Sequence, residues 1–297
     1  MKQKSKGFFL VDMLYLAMTI LPLVAGIILK ILTTPPAGDG VSITGALIYF
    51  EIPMPIQNLV ITESQVNSWL VMIGILGLCL YMTHGMSART PTKRQHFAEM
   101  GVTLCDKMVI GNMGEYFAGF SPFIASILML SAFSSLIALC GLYAPTSDIN
   151  VVGGWAILVF ILITYYKMKC GPLMYIKALA DPIAMAPLNL IGEVATPISM
   201  AFRHYGNVLS GSVISVLLAV GLGGLSNMVL GWLPGFLGEF PFLRIGIPAV
   251  MSLYFDIFSG LLQAYIFAML TMLYVSGGFP LEEYMKRKEK KLKKQNI

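Results

Sequence analysis

The amino-acid sequence predicts an all-α polytopic membrane protein. Of its 297 residues, 57% are hydrophobic and only 12% are charged, and the mean hydropathy is +0.77. This is more apolar surface than a soluble core of the same length needs. Apolar runs also recur that reach the length of about 20 residues needed to cross a hydrocarbon layer of about 30 Å. A soluble globular protein is therefore excluded.

Six apolar segments are long enough to span a membrane. They cover 8–32, 67–85, 121–143, 152–168, 183–220 and 245–276. The first segment follows a basic start, as a signal sequence does. Its apolar run is longer than a usual signal core, however, and no A-x-A cleavage site closes it. We therefore interpret it as a retained helix.

The last two segments are unusually long. At about 1.5 Å per residue they would extend roughly 57 and 48 Å, well beyond the hydrocarbon thickness. They must tilt strongly, kink or project from the bilayer. Three prolines, at Pro182, Pro187 and Pro197, offer kinks in the first of the two. Length alone does not choose among these geometries.

The basic residues predict the orientation, because Lys and Arg concentrate in cytoplasmic loops. With the N-terminus inside, all of the 20 basic residues are cytoplasmic except Lys30 and Arg244, which are external, and Arg203, which is in the membrane. Five acidic residues fall on the external side, namely Asp39, Glu51, Glu63, Asp148 and Glu239. Both termini are therefore expected in the cytoplasm. The basic C-terminal tail is interpreted as a topology anchor, with a lipid or partner contact as the alternative.

Arg203 is the most informative charge, because no other charged residue occurs between positions 194 and 238. A guanidinium cannot be deprotonated in a protein, so a full charge is placed at membrane depth. Such residues are retained chiefly where an ion path or a counter-ion requires them. The alternative is a buried salt bridge with Asp256 or Glu193, but apolar packing would cost less than either charge.

Each long segment carries a polar stripe. At about 100° per residue, small and polar residues lie within about 60° of Arg203 on one segment and of Gln263 on the other. They are Thr196, Ser199, Gly206, Asn207 and Ser210 in the first stripe, and Ser252, Asp256, Ser259 and Gly260 in the second. Taken singly, the Ser, Thr and Gly positions are also compatible with helix packing. Two polar faces together predict a functional surface.

The sequence around these stripes resembles a known family. The run PLNLIGEVATPISMAFRHYGNVLSG and the later run YFDIFSGLLQAYIFAMLTMLYVS are similar to the a subunit of bacterial F-type ATP synthases. Further support comes from PTSDINV at 145–151 and YYKMKCG at 165–171. The resemblance covers 56–277. Outside it, we expect an extra membrane helix and external loop over 1–55 and a basic cytoplasmic tail over 278–297.

The resemblance implies a stator subunit in the bacterial cell membrane. The two long helices would lean against a rotating ring of c subunits, each with one carboxylate at mid-membrane, and Arg203 would separate two ion half-channels. Gln263 would position Arg203 or the ring carboxylate by hydrogen bonding. Asn207, Glu193 and Asp148 match positions associated with polar access, although Asp148 is also ordinary turn chemistry. The residues expected to contact the ring are Gly206, Ser199, Ser210 and Ser259.

The resemblance also implies partners. They are the c-subunit ring, b-type peripheral stalk subunits, the remainder of the ATP synthase and membrane lipid, without nucleic acid. The sequence has no phosphate-binding GxxxxGK[ST] loop, so nucleotide chemistry is expected in partner subunits, and we expect no cofactor and no enzymatic activity of the chain alone. The four cysteines and three histidines show no metal-ligand spacing. The ion is expected to be a proton, with sodium as the alternative.

Two positions depart from the family pattern. Ser212 stands where many members carry a glutamate, and Asp256 stands where many carry a histidine. Our interpretation is that the acidic group has moved from the fifth span to the sixth, so that Asp256 supplies the half-channel carboxylate that Ser212 cannot. The alternative is that Asp256 pairs with a neighbour and that transport uses water alone.

Two other classes of protein remain alternatives. A secondary ion transporter would also place a charge in the membrane, but such proteins usually show internal repeats, and we find none in this sequence. A purely structural membrane subunit would not need Arg203 together with Gln263.

Overall fold

The computed structural model describes residues 6–34, 45–89, 91–169, 171–179, 182, 185–232, 242–281 and 284–286. Within these ranges, six helices are long and apolar enough to cross a membrane, which confirms the predicted class and the six spans. They are Gly7–Thr33, Glu63–Thr83, Glu115–Cys140, Ile149–Lys169, Ala186–Val229 and Gly246–Gly277. Asp39, Glu239 and all but the start of the basic tail lie outside the described residues.

The N-terminal helix α1 spans Lys6–Thr33. It packs along α2, which spans Glu63–Thr83. At one end of this pair, Asp12 Oδ1 lies 2.8 Å from His84 Nδ1 and 3.0 Å from Arg94 Nη1. Lys30 pairs with Glu63 at the other end, with 3.4 Å between Nζ and Oε1. The first predicted span is therefore docked on the second at both ends.

A short β-hairpin precedes α2 and was not predicted. Its strands β1, Ile48–Ile52, and β2, Leu59–Thr62, pair antiparallel. Thr62 also forms a capping box with Gln65, so α2 begins four residues before the predicted position 67.

The helix α3, Lys93–Met113, was also missed. The side chain of Thr92 caps it by accepting from the backbone nitrogen of Gln95 at 3.2 Å. The helix ends at Gly114, whose φ of 86° favours glycine and turns the chain into the next span. Its polar composition concealed it from a search for apolar runs.

The third and fourth spans are α4, Ser121–Leu136, and α5, Ile149–Lys169. Tight 3₁₀ turns extend α4 at both ends, and a third precedes α5. The turns cover Glu115–Phe120, Ile137–Cys140 and Pro145–Ser147. A short helix, α6, follows α5 over Pro172–Leu179.

The fifth span is α7, a helix of 45 residues over Ala186–Leu230. It continues through Pro197 and runs ten residues past the predicted end at 220, so that boundary was wrong. In a bilayer, an interrupted helix leaves backbone groups without hydrogen bonds, and this favours continuation. The helix is about 67 Å long, more than twice the hydrocarbon thickness.

The sixth span is built from three pieces. Helix α8, Phe242–Ser252, leads into a π-helical segment, Leu253–Ser259, and this leads into α9, Gly260–Gly277. A π segment widens the helix locally and is frequent at functional sites. Asp256 lies within it.

The main apolar core lies where α3, α4, α5, α7 and α9 meet. Its buried members are Val109, Met113, Phe117, Phe120, Ile124, Ile127, Val159, Ile163, Met200, Phe267, Ala268, Met272, Val275 and Phe279. Thus α9 packs on the body of the protein through one face, which leaves another face of the same helix exposed.

Candidate functional site

Two contacts fix the register between α7 and the last span. Asn207 Nδ2 donates to Ser259 Oγ at 2.6 Å. Four residues further along α7, a Cβ added to Gly211 would lie only 3.0 Å from the ring of Phe255, which is four residues earlier in the sixth span. The two helices are therefore antiparallel and closely packed at this level.

The same register brings the two most important predicted residues to one depth. Stepping back four residues from Asn207 reaches Arg203, and stepping forward four from Ser259 reaches Gln263. The side chain of Arg203 is exposed and that of Gln263 is half-buried. Within the described part of the chain, neither side chain has a hydrogen-bond or ion-pair partner, so they share a level without a direct bond.

Helix α7 has one packed face and one open polar face. Its buried side chains include Pro197, Met200, Ala201 and His204. The predicted stripe lies elsewhere on the helix: Ser199, Arg203 and Ser210 are exposed, and Thr196, Gly206 and Asn207 are half-buried. Ser259 accepts the hydrogen bond from Asn207, so its hydroxyl lies between the two helices. No residue of the predicted stripe is among the buried residues of α7.

Glu193 lies at the opposite end of α5 from Asp148 and is held by two groups. Its Oε1 accepts from Lys167 Nζ at 2.5 Å, and its Oε2 accepts from the Tyr175 hydroxyl. Burial, followed by the hydrogen bond to Glu193 and the charge of that carboxylate, raises the pKa of Tyr175 to about 12, so the phenol remains a donor. A salt bridge between Glu193 and Arg203 is therefore not formed.

A cavity of about 660 Å³ opens beside Glu193. Lys167, Tyr175, Asn189 and Thr196 give it a polar side. Tyr175 was missed by the sequence analysis, because no periodic pattern connects a residue on α6 with one on α7.

The Asp148 carboxylate accepts hydrogen bonds at the start of α5. Its Oδ1 accepts from the backbone nitrogen of Asn150 at 2.9 Å and from the Asn150 side chain at 3.1 Å. Ser64, at the start of α2, also donates to its Oδ2. The turn and capping chemistry that the sequence allowed is therefore present, and the carboxylate in addition ties α5 to α2.

A buried polar cluster surrounds this contact. Glu63 is 2% exposed, and Asn67 Nδ2 donates to the Tyr143 carbonyl at 2.8 Å. Burial, then the charges of Asp148, Tyr205 and Glu63, raise the pKa of the Tyr143 phenol. From the sequence, Glu63 was interpreted only as an external charge. Its place in the first turn of α2 could be recognised only with the helix start at position 63.

Asp256 is half-buried in the π segment. Among the described residues it has no ion pair and no hydrogen bond through its side chain, so the predicted alternative of a salt bridge with Arg203 is not observed. The register of the helices puts it level with Ser210, two residues from Ser212. That separation is about 3 Å along the axis of α7.

These features define a polytopic helical membrane protein in which a cation on α7 has no partner among the described residues. Residues 65–276 match the family described as ATP synthase A chain. The chain belongs to this family.

Individual relatives agree with this assignment. The ATP synthase subunit a of Desulforamulus reducens is 32% identical over 218 residues, covering 72% of this chain and 78% of that protein. That of Citrifermentans bemidjiense is 28% identical over 221 residues, covering 72% and 86%. The protein named ATP synthase subunit a, sodium ion specific, of Propionigenium modestum is 24% identical over 285 residues, covering 85% and 89%.

Proposed function

We propose that the chain is the ion-translocating stator subunit of a rotary F-type ATP synthase, in which Arg203 separates two half-channels that face a ring of c subunits. The observation that carries the proposal is the exposed guanidinium on the polar face of α7, at the level of Gln263 and unpaired among the described residues. An unpaired charge at membrane depth calls for a counter-charge from a partner.

The chemistry of the guanidinium suits this task. A carboxylate in a low-dielectric medium crosses lipid in its neutral or ion-loaded form, whereas a nearby positive charge favours its ionised form and therefore ion release. Arginine cannot pass on its own proton, so it blocks a leak between the two half-channels. A lysine would be a poorer substitute because it loses its proton readily on burial.

The glycines of the site support contact with a partner at this face. Packing within the chain favours glycine at position 211, because a Cβ there would lie only 3.0 Å from the Phe255 ring. A Cβ on Gly206 would meet no atom of the described residues within 4 Å, apart from its own helix backbone. Since packing within the chain leaves room at Gly206, we infer that its small size, with Ser199 and Ser210 beside it, serves the approach of the ring.

Polar groups on both sides of Arg203 support two access routes. Glu193 precedes Arg203 by ten residues, about 15 Å along α7, and lies beside the 660 Å³ cavity. We assign this side to the cytoplasmic half-channel. Asn207 and the cluster around Asp148 lie beyond Arg203 in the other direction, and we assign them to the external half-channel.

Asp256 completes the external route in this proposal. It lies within about 3 Å of the depth of Ser212, so a carboxylate on the sixth span can reach the same level as one on the fifth. Its lack of an ion-pair partner among the described residues favours a transport role over the alternative of a structural pair.

The proposal includes partners and sidedness. The chain would assemble with the c-subunit ring, b-type peripheral stalk subunits and the soluble nucleotide-binding subunits, through the unit 56–277. Both termini would lie in the cytoplasm. We propose a proton as the ion. Sodium is the alternative, because one relative carries sodium specificity in its name.

Co-purification tests the function directly. A tagged chain extracted in mild detergent is expected to bring with it a ring of small hairpin proteins and soluble nucleotide-binding subunits. Ion flux by the isolated, reconstituted chain would contradict the stator proposal and would favour a secondary transporter.

A further inference from the structure

His204 is a buried titratable side chain to which the proposed mechanism gives no role. It is only 1% exposed, although it directly follows the exposed Arg203. Its Nε2 lies 3.3 Å from Ser131 Oγ on α4. Its Nδ1 is buried and has no hydrogen-bond partner among the described residues.

The other neighbours of this imidazole are apolar. The ring centroids of Trp155 on α5 and Phe267 on α9 lie 6.2 and 5.8 Å away, both edge-on. None of the contacts recorded for His204 from α4, α5 or α9 is with a charged or titratable group. The nearest such groups on its own helix are Arg203 and Tyr205. An apolar side chain would fill this site without leaving a polar nitrogen unpaired.

A line of similar unpaired groups continues from His204 along α4. Ser134 Oγ and Ser135 Oγ are buried without partners in the described structure, and both lie on the face of Ser131, three and four residues further on. Helix α4 runs from here toward the external turn, where Thr146 Oγ1 is also buried and unpaired. The line therefore points from His204 toward the cluster around Asp148.

Packing alone does not account for this line. Ser135 is pressed against α9, since a Cβ on Gly260 would lie 2.7 Å from the Ser135 Cβ, and an alanine would serve that contact equally well. Buried hydroxyls and ring nitrogens that lack protein partners are normally satisfied by ordered water. Hydroxyls, water and an imidazole in sequence are the elements of a proton path.

We propose that His204, with the hydroxyls of Ser131, Ser134 and Ser135, forms a proton relay at the inner end of the external half-channel. A proton binds the unprotonated ring nitrogen and gives the imidazolium, which then releases the proton on the other nitrogen. The ring ends neutral in the other tautomer and is reset by a flip. The inference rests on the proposed function and commits it to proton transport.

The test measures proton flux through the whole complex in vesicles as the pH is varied. His204→Gln keeps a hydrogen-bonding group near the position of Nε2, within reach of Ser131, but cannot act as an acid or a base. We expect a passive proton flux at least about tenfold lower, with the imidazole-dependent part of its pH profile lost, because positioned acid–base groups contribute about a hundredfold or more. Ser131→Ala is expected to change the profile in the same direction.

Controls separate this inference from the proposed function. Ser226→Ala is the control. It removes a hydroxyl of α7 that is also buried without a partner among the described residues but is well away from the line, and it should leave flux unchanged. Wild-type flux and an unchanged pH profile in assembled His204→Gln complexes would overturn the relay. If this variant does not assemble, Ser131→Ala decides in the same way. Loss of pumping in Arg203→Ala alongside normal His204→Gln flux would reject the relay and retain the stator function.

Discussion

The position of the Arg203 guanidinium is set by its helix, since no described residue forms an ion pair with it. Met200, Ala201 and His204 hold one side of α7 in the body of the protein, and this leaves the neighbouring arginine on the open side. The carboxylate that the sequence offered as a partner, Glu193, is already bound by Lys167 and Tyr175. The charge is therefore available to a group on another chain.

Asp256 and Ser212 make the proposed exchange of acidic groups testable. Asp256→Asn keeps the size of the side chain and removes its ability to bind and release a proton. We expect ATP-driven ion flux in reconstituted vesicles to fall roughly tenfold or more, because a positioned acid–base group is lost. Ser212→Ala, the matched control on the facing helix, should have little effect. Comparable losses from both variants, or none from Asp256→Asn, would count against the exchange.

Helix α1 is held to α2 by close backbone contact as well as by ion pairs. A Cβ on Gly77 would lie 2.8 Å from the backbone nitrogen of Thr19, which cannot move aside, whereas a Cβ on Gly74 would lie 3.5 Å from the Thr19 carbonyl oxygen, an ordinary contact. Together with the ion pair between Asp12 and Arg94, these contacts hold α1 against α2.

The two glycines form a matched pair for testing this packing. Gly77→Ala should destabilise the α1–α2 pair by about 1–3 kcal/mol through overpacking, and Gly74→Ala should not. Heat-induced dissociation of the detergent-solubilised complex measures the difference. Ion flux at low temperature should be normal in both, because α1 lies outside the proposed ion path. Equal dissociation temperatures for the two variants would show that the close contact at Gly77 does not determine the stability of the α1–α2 pair.

Composition was enough to predict the six spans, because a helix that crosses a bilayer must be long and apolar. Helical periodicity around Arg203, a charge within such a segment, was enough to predict the polar stripe of α7. The hairpin Ile48–Thr62 was missed because its strands are short, and α3 because it is polar. The π segment around Asp256 was also missed, since periodicity assumes one helical repeat throughout. Pairings between distant residues, such as Glu193 with Tyr175, leave no local pattern.

The polar clusters of the molecule divide between its two ends. Lys30, Glu63 and Asp148 meet at the start of α2 and α5, while Arg94 and Lys167 lie near the other ends of those helices. We propose, from the distribution of the basic residues in the sequence, that the first end is external and the second cytoplasmic.

Labelling in intact cells tests that sidedness. In a chain whose native cysteines are replaced by serine, a membrane-impermeant thiol reagent should modify Gln57→Cys, in the exposed loop of the hairpin. It should not modify Ala88→Cys, which follows α2 at the opposite end. Opening the cells should make Ala88→Cys reactive and serves as the control. The reverse pattern would invert the topology.

The proposed mechanism depends on Arg203 acting as a separator, and pumping and leak together test this role. In vesicles that contain the complete complex, ATP-driven ion pumping and passive ion leak are measured for wild type and for Arg203→Ala. We expect that the variant assembles, loses pumping, and keeps or increases the leak, since the barrier between the half-channels is gone. Normal pumping by Arg203→Ala vesicles would contradict it.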